Sequence, residues 1–347
     1  MSTIAVNAIT DASSGSTTSI NGVTPNVNNV VGKNLIINGA MQIAQRGTSV
    51  TGITGNGYQT VDRFKIMINT AGTWTLTQDT DSPDGFGNSF KYDCTTATAS
   101  PNYVFLEHRM EGQMVQQLAK GTTSAKKITL SFYVKCSKTG NFQVNLRDKD
   151  NSRIIGKVVT ISSANTWEKK TITFDGDTTG TLNNDNGESL TLEMFFDAGS
   201  SFNTGAVPAS WEAEAATDRA AGVTLALADS TSNTLNLTGV QLEVGESATE
   251  FEHRPYTTEL QLCQRYFEKF APGLADGTNI YVGSYASSPG GSAGTWYFKQ
   301  EMRAIPTISL GSGSSTANTI SQAHLGVFTG VNTYARIITP ATASAEL

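Results

Sequence analysis

The chain has 347 residues, of which 38% are hydrophobic and 16% are charged, and its formal net charge is −6. This length predicts two or three domains. The slight acidity, without any run of Lys or Arg, argues against nucleic acid or an anionic membrane surface as a partner. No apolar stretch approaches the ~20 residues that a membrane-spanning helix needs, so we expect no membrane insertion.

Residues 1–32 are rich in Ser, Thr, Asn and Gly, with only isolated aliphatic side chains such as Ile4, Val6 and Ile9. A segment so poor in apolar residues cannot bury enough surface to fold alone. We therefore interpret it as an arm that becomes ordered when something else holds it. Its first residues lack the basic and apolar regions of a signal peptide, so we expect synthesis in a cytosol without secretion.

Strand patterns recur at short spacing from Asn34 to about Phe251. In ITLSFYVKC (128–136) the apolar residues share one face, while Tyr133 and Lys135 lie on the other with Thr and Ser. Such alternation over many segments predicts an antiparallel, all-β sandwich of two sheets. MEGQMVQQLAK interrupts the rhythm and predicts one short helix that ends at Gly121. Trp167 begins a strand pattern, and we expect it in the core.

Residues 255–271 change to a helical period that starts after Pro255. The apolar positions alternate in steps of four and three residues: Tyr256, Leu260, Cys263, Phe267 and Phe270. Two interpretations stay open, because two heptads are too few to identify a coiled coil. In one, the helix lies on its own domain. In the other, it forms a trimer interface through Leu260, Cys263, Phe267 and Phe270.

Residues 273–347 return to strand patterns and predict a second, smaller β module. A Gly/Ser loop at 287–294 lies between aromatic residues in this part of the chain. Sugar rings pack on aromatic faces while polar side chains bind their hydroxyls. The candidate ligand-binding residues are Tyr281, Tyr285, Trp296 and Tyr297. Trp296 also fits a core position, because it shares a strand face with Phe298.

The segment DGDTTGTLNNDNGE begins like a calcium-binding loop, with Asp175, Asp177 and Gly180 in suitable places. Asn186 stands where such a loop needs a bidentate Glu, so we interpret the segment as an Asx-rich hairpin loop. The three cysteines, Cys94, Cys136 and Cys263, form no CxxC motif and fit buried thiols. We expect neither a metal nor a cofactor.

The chain contains neither an HExxH motif nor a P-loop sequence. Glycoside hydrolysis needs two carboxylates facing each other across a groove. Acidic residues that alternate with apolar ones are present, but the sequence does not pair them: Glu107, Glu111, Glu193 and Glu243. We therefore expect a protein that is not an enzyme.

Several motifs follow one another in an order that resembles bacteriophage tail fibre proteins, especially those of phages of marine bacteria. They are NLIINGAMQIAQRG, GYQTVDRF, LEHRMEGQ, ITLSFYVKCSKTGNF, ANTWEKKTITFDGDTTG and LTGVQLEVGESATEFEHRPYTTELQLCQRYFEK. The C-terminal FKQEMRAIPTISL and the final AEL resemble the distal module of such fibres. The resemblance implies a central jelly roll similar to carbohydrate-binding modules, in which NLIINGAMQIAQRG and LTGVQLEVG are adjacent first and last strands.

The domain organisation that follows is an N-terminal virion-attachment arm (1–32), a jelly-roll domain (33–252), a helical connector (253–272) and a distal β tip (273–347). The expected function is a non-enzymatic tail fibre protein of the virion that binds a host surface polysaccharide. We expect a homotrimer, because threefold symmetry and multivalent binding suit a fibre. Residues 1–32 would bind other virion proteins.

Two alternatives of a different class remain. One is a virion structural or head-decoration fibre protein without a receptor role, and the other is a polysaccharide depolymerase.

Overall fold

A computed structural model of the chain describes residues 32–270, 279–280, 294–310, 320–323, 330–333, 337–338 and 341–347. These residues form an antiparallel jelly-roll β-sandwich, a helix after it and several smaller sheets, which confirms the fold class predicted from the sequence. No helix in these ranges has the length and the apolar character required to cross a membrane.

Two large antiparallel sheets make the sandwich. The six-stranded sheet runs in the order β1 (Ser49–Ile53), β4 (Thr73–Asp79), β5 (Ser89–Thr96), β13 (Thr234–Val244), β7 (Ile128–Cys136) and β10 (Glu168–Phe174). The seven-stranded sheet runs in the order β12 (Glu212–Ala213), β9 (Arg153–Ile161), β8 (Gly140–Asp148), β11 (Glu188–Ala198), β6 (Tyr103–Glu111), β3 (Lys65–Asn69) and β2 (Gly57–Tyr58).

The core lies between the inner faces of these sheets. The apolar row of β7 is buried there as predicted, and Trp74 of β4 is the largest fully buried side chain among the described residues. Cys94 and Cys136 are buried free thiols, and burial raises the pKa of each. Alternation of period two thus places one face of each strand in the core and leaves the other for polar groups.

Residues 34–47, NLIINGAMQIAQRG, lie beside β13 as predicted, but they are not a strand. The Asn34 side chain donates to the Val240 carbonyl (3.1 Å) and accepts from the Leu242 amide (3.0 Å). Positive φ angles at Asn38 (64°) and Met41 (56°) bend the backbone away from an extended path. Side-chain amides therefore satisfy backbone groups that a neighbouring strand would otherwise pair.

The segment MEGQMVQQLAK is also different from its prediction. It forms two short 3₁₀ turns, Gly112–Met114 and Gln116–Leu118, after β6 has continued to Glu111. Gln116 Nε2 donates to the carbonyls of Gly112 and Asn183, both at 2.9 Å. These contacts hold the two turns against the loop before β11. The segment is therefore a tight connection fixed by tertiary hydrogen bonds and not the continuous α-helix that its sequence predicts. Other short helical elements are α1 (Ser200–Asn203) and a turn at Ala216–Asp218.

The predicted helical stripe is shorter than its sequence period suggests. Helix α2 (Tyr256–Gln264) ends before Phe267, and Phe267–Phe270 forms strand β14, which pairs with β21 (Ala341–Ser344). Cys263 and Phe267 are buried by their own subunit, and Leu260 packs on the cluster around Cys263. The stripe thus packs on its own subunit, which buries Cys263 and leaves Phe267 5% exposed. The side chain of Phe270 lies outside the described part of the chain. The trimer interface through Leu260, Cys263, Phe267 and Phe270 stays a prediction.

Smaller sheets follow the helix and agree with a second β module. In one three-stranded sheet, β21 lies between β14 and β17 (Thr307–Leu310). In a second, β19 (Gly330–Thr333) lies between β16 (Gly294–Tyr297) and β18 (Ile320–Ala323). A separate pair is formed by β15 (Asn279–Ile280) and β20 (Ile337–Ile338). Phe270 and Leu310 both pair with Ala341. The chain therefore enters the second β module from β14 and comes back from it through β21, which lies in the same three-stranded sheet. The residues after β21 lie on the jelly roll.

Glu346 fixes the C-terminus to the jelly roll. Its carboxylate pairs with buried Arg63 (2.5 Å) and with Arg46 (3.0 Å). Arg63 also lies 3.4 Å from the centre of the Tyr266 ring, and Arg46 contacts Asp62 at 3.3 Å. Burial raises the pKa of Asp62 to about 7, although Arg46 opposes the shift. One network thus joins Glu346, near the end of the described chain, to the segment before β3 and to Tyr266 after α2.

Gly39→Ala should destabilise the sandwich by about 3–5 kcal/mol. A Cβ atom at Gly39 would lie 2.1 Å from the backbone oxygen of Val240, so the backbone of one partner must move. Gly87→Ala is the control, because no atom lies within 4 Å of its Cβ position. Urea unfolding measures both variants. Equal midpoints would contradict the importance of this close approach.

The stability of the protein should also depend on pH through Asp62. Its folded pKa of about 7 exceeds its ordinary value of 3.8, so the folded state holds a proton that the unfolded state has released. This contribution is fully present below the ordinary pKa and is lost as the pH rises through 7. From pH 5 to pH 8, the wild type should lose about 2 kcal/mol of unfolding free energy relative to Asp62→Asn. If the unfolding free energies of the two proteins changed in parallel with pH, the raised pKa of Asp62 would be contradicted.

Candidate functional site

The sequence-predicted ligand residues lie in the second β module. Tyr281 and Tyr285 fall outside the described residues, and for Trp296 and Tyr297 only the strand itself is described. Trp296 pairs with Val331 and Tyr297 with Gly330 across β16 and β19. A ligand site formed by these four residues remains a prediction.

A different set of aromatic side chains lies on the outer face of the six-stranded sheet. Tyr133 of β7 stands directly opposite Lys169 of β10, and Trp167 immediately precedes β10. The loop after β4 and the segment after β13 add further rings to the same surface. We call this surface the aromatic face, formed by Phe86, Tyr133, Trp167, Phe251 and His253.

Phe86 is the centre of this cluster. Its ring centroid lies 5.4 Å from Tyr133, 5.0 Å from Phe251 and 5.3 Å from His253. Gly239 makes the contact possible: it has a φ of 63°, and a Cβ atom there would lie 2.7 Å from the Phe86 ring. Because Phe86, Tyr133 and Phe251 are half-buried, their rings are held in place and still reach the surface.

Trp167 is at the edge of the aromatic face rather than in the core, which corrects the expectation from sequence. Its Nε1 donates to Asp81 Oδ1 (3.1 Å), and the ammonium of Lys135 lies 5.7 Å from its ring and pairs with Asp81 Oδ2. The hydrogen bond from Lys135 holds the pKa of Asp81 below its ordinary value. Trp167 is half-buried because the loop carrying Asp81 covers it, and the opposite sheet does not.

The loop that carries Asp81 and Phe86 is fixed to the sheet below it. Ser89 Oγ donates to the Asp81 carbonyl (2.6 Å), and Thr238 Oγ1 donates to the Asn88 carbonyl (2.7 Å). Asn236 Nδ2 donates to Ser89 Oγ at 3.0 Å. The aromatic face is therefore supported by hydrogen bonds to two strands of the sheet, which gives its rings and polar groups a fixed geometry.

Chemically, the aromatic face combines apolar ring surfaces with a carboxylate and two ammonium groups, those of Asp81, Lys135 and Lys169. Aromatic rings accept the C–H face of a pyranose, and charged or polar side chains bind its hydroxyls. The site needs no metal for this interaction. Because its loop segments are hydrogen-bonded to strands β5 and β13, the aromatic face is a rigid, shallow platform.

The outer face of the seven-stranded sheet carries two carboxylates that the sequence could not pair. Glu107 and Glu193 stand directly opposite each other on β6 and β11. Burial alone would raise the pKa of Glu193, but Arg219 and Arg147 hold it below the ordinary value. The Glu193 carboxylate is fully buried and bound by both guanidinium groups, so it is not placed to attack a glycosidic bond.

A long connection covers this face. Asn145 Nδ2 donates to the Arg219 carbonyl (2.7 Å), and Gln143 Nε2 donates to the Asp218 carbonyl (2.8 Å). The centroids of the Phe105 and Phe195 rings are stacked at 4.0 Å, and Arg219 lies over both rings at 5.2 Å. The middle of the seven-stranded sheet is thus closed to a polymer, in contrast to the aromatic face.

A groove of about 900 Å³ lies next to the aromatic face. We call it the N-terminal groove, because the first described residues, Gly32 and Lys33, form part of its wall. Its apolar lining comes from the leading segment, the 3₁₀ turns, the segment after β13 and α2: Leu35, Ile37, Met114, Phe251, Pro255 and Leu262. Phe251 and His253 belong to both the groove and the aromatic face.

The calcium-like segment holds a lysine in place of a metal. The Lys120 ammonium pairs with Asp148 and with Asp177 (3.0 Å), and it donates to the carbonyls of Thr179 (2.9 Å) and Gly180 (3.0 Å). Asp175 is exposed and takes no part in this cage. Across the described ranges, no group of three or more His, Cys, Asp or Glu side chains is arranged to hold a metal ion.

Sequence reasoning missed most of the aromatic face. The alternation along β7 indicates one part of it, because it places Tyr133 and Lys135 on the strand face away from the core. Phe86 and Phe251 lie in segments without a period, so only their tertiary contacts show their position. Trp167 stands at the start of a strand pattern, which by itself does not show that Asp81, distant in sequence, holds its ring at the surface.

Lys120→Met should destabilise the protein by about 3–5 kcal/mol, because fully buried Asp148 loses its counter-ion and Asp177 keeps only Arg153 (2.6 Å). Lys127→Met is the matched control. Lys127 contacts Asp175 (3.8 Å) and Glu246 (3.6 Å) at the exposed surface, and its loss should cost less than about 1 kcal/mol. Thermal unfolding of both variants checks the difference, and similar melting temperatures would contradict it.

No protein-family model matches this chain, and no curated protein is found as a relative. Solved structures with a similar fold include the enzymatically active domain of tailspike protein 4 of bacteriophage CBA120, with 10% identity, a TM-score of 0.31, and coverage of 61% of this chain and 22% of that one.

Two carbohydrate-binding modules are similar at the same level. The xylan-binding domain from Paenibacillus barcinonensis Xyn10C has 11% identity and a TM-score of 0.25, covering 59% of this chain and 93% of that one. The family 11 module of a cellulosomal cellulase of Clostridium thermocellum has 11% identity and a TM-score of 0.25, covering 59% and 92%. These likenesses are too weak to transfer a function, and the site must be judged from its own residues.

Proposed function

We propose that the protein is a non-enzymatic fibre protein of a phage virion that adheres to a host surface glycan. The aromatic face carries this proposal: Trp167 and Tyr133 present ring surface beside Asp81, Lys135 and Lys169 on a rigid sheet. The resemblance of the sequence motifs to phage tail fibres supplies the biological setting. Adhesion requires stacking and hydrogen bonding, and the aromatic face offers both.

Glu193 supports the non-enzymatic part of the proposal. The carboxylate that faces Glu107 is neutralised by Arg147 and Arg219 and is buried under the connection after β11. A depolymerase needs one free carboxylate as a nucleophile or base and a second as an acid. Incubating the protein with the polysaccharides that it binds and measuring their chain length tests this point. Shortened chains would favour a depolymerase.

The proposal includes a homotrimer, because each shallow sugar contact is weak. Aromatic stacking contributes about 0.5–1.5 kcal/mol, so firm adhesion needs several linked sites. The interface through Leu260, Cys263, Phe267 and Phe270 stays a prediction, and Cys263 and Phe267 are already largely buried by their own subunit. Residues 1–32 remain the proposed attachment to other virion proteins.

Trp167→Ala and Tyr133→Ala should each weaken glycan binding about two- to tenfold, the equivalent of one lost stacking contact. Binding is measured by titration against purified bacterial surface polysaccharides, first selected on an array. Val158→Ala is the control, because Val158 is 40% exposed on β9, which belongs to the other sheet. Unchanged affinity in both face variants would contradict the assignment.

The second β module can be tested without damaging the jelly roll. A C-terminal truncation would remove β21 and leave buried Arg63 without Glu346. Replacing residues 311–340 by Asn-Gly instead joins Leu310 to Ala341, which are already paired in adjacent antiparallel strands. We expect this protein to keep its glycan affinity. Loss of binding in a folded variant would place the site in residues 311–340 or in a strand that pairs with them, such as β16.

A further inference from the structure

The N-terminal groove is apolar, and its position relative to the start of the described chain is unusual. Leu35, Ile37, Met114 and Leu262 line it, and all belong to the hydrophobic surroundings of Cys263 or the neighbouring core. Its volume of about 900 Å³ falls in the range of pockets that hold a ligand or a peptide segment. A contiguous apolar surface of this size usually marks a binding site, so we expect a bound partner or a segment of the chain to cover it.

The chain itself leads into the groove. Gly32 is part of the groove wall, and its backbone N–H donates to Glu252. The Asn34 amide donates to the other Glu252 oxygen at 2.8 Å, and Arg254 donates to the carbonyls of Asn34 and Ile36. The side chains of Glu252 and Arg254 therefore hold the backbone around Gly32 at the rim of the groove.

The direction of the chain at this point is also set. Gly32 has a φ of 85°, in the left-handed region that a glycine adopts without strain. Such a residue reverses or sharply bends the backbone, so the preceding residues need not continue away from the surface. The bend occurs where the groove begins.

The residues just before Gly32 have the right chemistry for the groove. Residues 25–31 read PNVNNVV, with Val27, Val30 and Val31 as apolar side chains and no charge. At about 3.3–3.6 Å per residue, Val27 can reach at most ~18 Å from Gly32. A tethered segment also meets its site at an effective concentration in the millimolar range, which favours docking of a short sequence.

We infer that the N-terminal groove is the docking site for residues 27–31 of the same chain, with Val30 and Val31 against Leu35, Met114 and Leu262. Docking orders the end of the arm and sets the point from which residues 1–26 leave the jelly roll. It also packs the arm beside Phe251, which links the arm to the aromatic face. The inference does not depend on the identity of the glycan.

The test measures exposure of the groove in the full chain and in four variants. They are a deletion of residues 1–24, a deletion of residues 1–31, the double substitution Val30→Asp/Val31→Asp, and the control Ile4→Asp/Val6→Asp. Fluorescence of a hydrophobic dye and hydrogen exchange of peptides covering 112–118 and 256–264 are the two readouts. Circular dichroism establishes that each variant is folded.

Dye fluorescence and exchange should rise severalfold in the deletion of 1–31 and in the Val30/Val31 variant. The deletion of 1–24 and the Ile4/Val6 control should resemble the full chain. A synthetic peptide of residues 19–33, added to the chain that lacks 1–31, should reverse both changes. This last experiment distinguishes a filled groove from a disturbed fold.

Three results would overturn the inference. Equal signals from all proteins would mean that residues 27–31 do not cover the groove. A rise on deletion of 1–24 would place the occupant farther upstream. A signal that depends on protein concentration in the full chain would show that a second copy fills the groove.

Discussion

The buried guanidinium of Arg63 is the interaction on which much of the molecule depends. Its side chain is 1% exposed, and its ion-pair partner is Glu346, the penultimate residue of the chain. A buried charge without its counter-ion is strongly destabilising, so the C-terminus must return to the jelly roll. Tyr266, after α2, stacks on the same guanidinium and draws the end of the helix into the network.

This constraint changes the layout of the second β module. Because Glu346 and β21 are held against the jelly roll, the module cannot be a simple C-terminal extension beyond a helical rod. Its strands instead leave and return at the sheet formed by β14, β21 and β17. The same arrangement explains why the helical stripe stops: Phe267 and the residues after it pair with β21, so their backbone groups bond to that strand instead of continuing the helix.

The two large sheets have different outer surfaces, and this difference directs the functional interpretation. The seven-stranded sheet covers its centre with a long connection held by Glu193, Arg219 and polar side chains of β8. The six-stranded sheet keeps an open region, where Gly239 lets Phe86 pack against Tyr133 and where Asp81 orients Trp167. A platform with fixed rings and nearby charges suits adhesion, and the N-terminal groove beside it connects the arm to the same side.

The sequence by itself determined the sandwich, because alternation of apolar and polar residues, as in β7, is a local property that survives in the folded chain. It also indicated the buried thiols, the second β module and the outward position of Tyr133.

Only the tertiary structure decided where α2 ends, since its last apolar positions pair with a strand about seventy residues later in the chain. It likewise decided that Trp167 is held by Asp81 at the surface, that Lys120 fills a cage resembling a metal site, and that Glu193 is neutralised by two arginines. Each of these outcomes depends on a partner distant in sequence, and no local period or motif carries information about such partners.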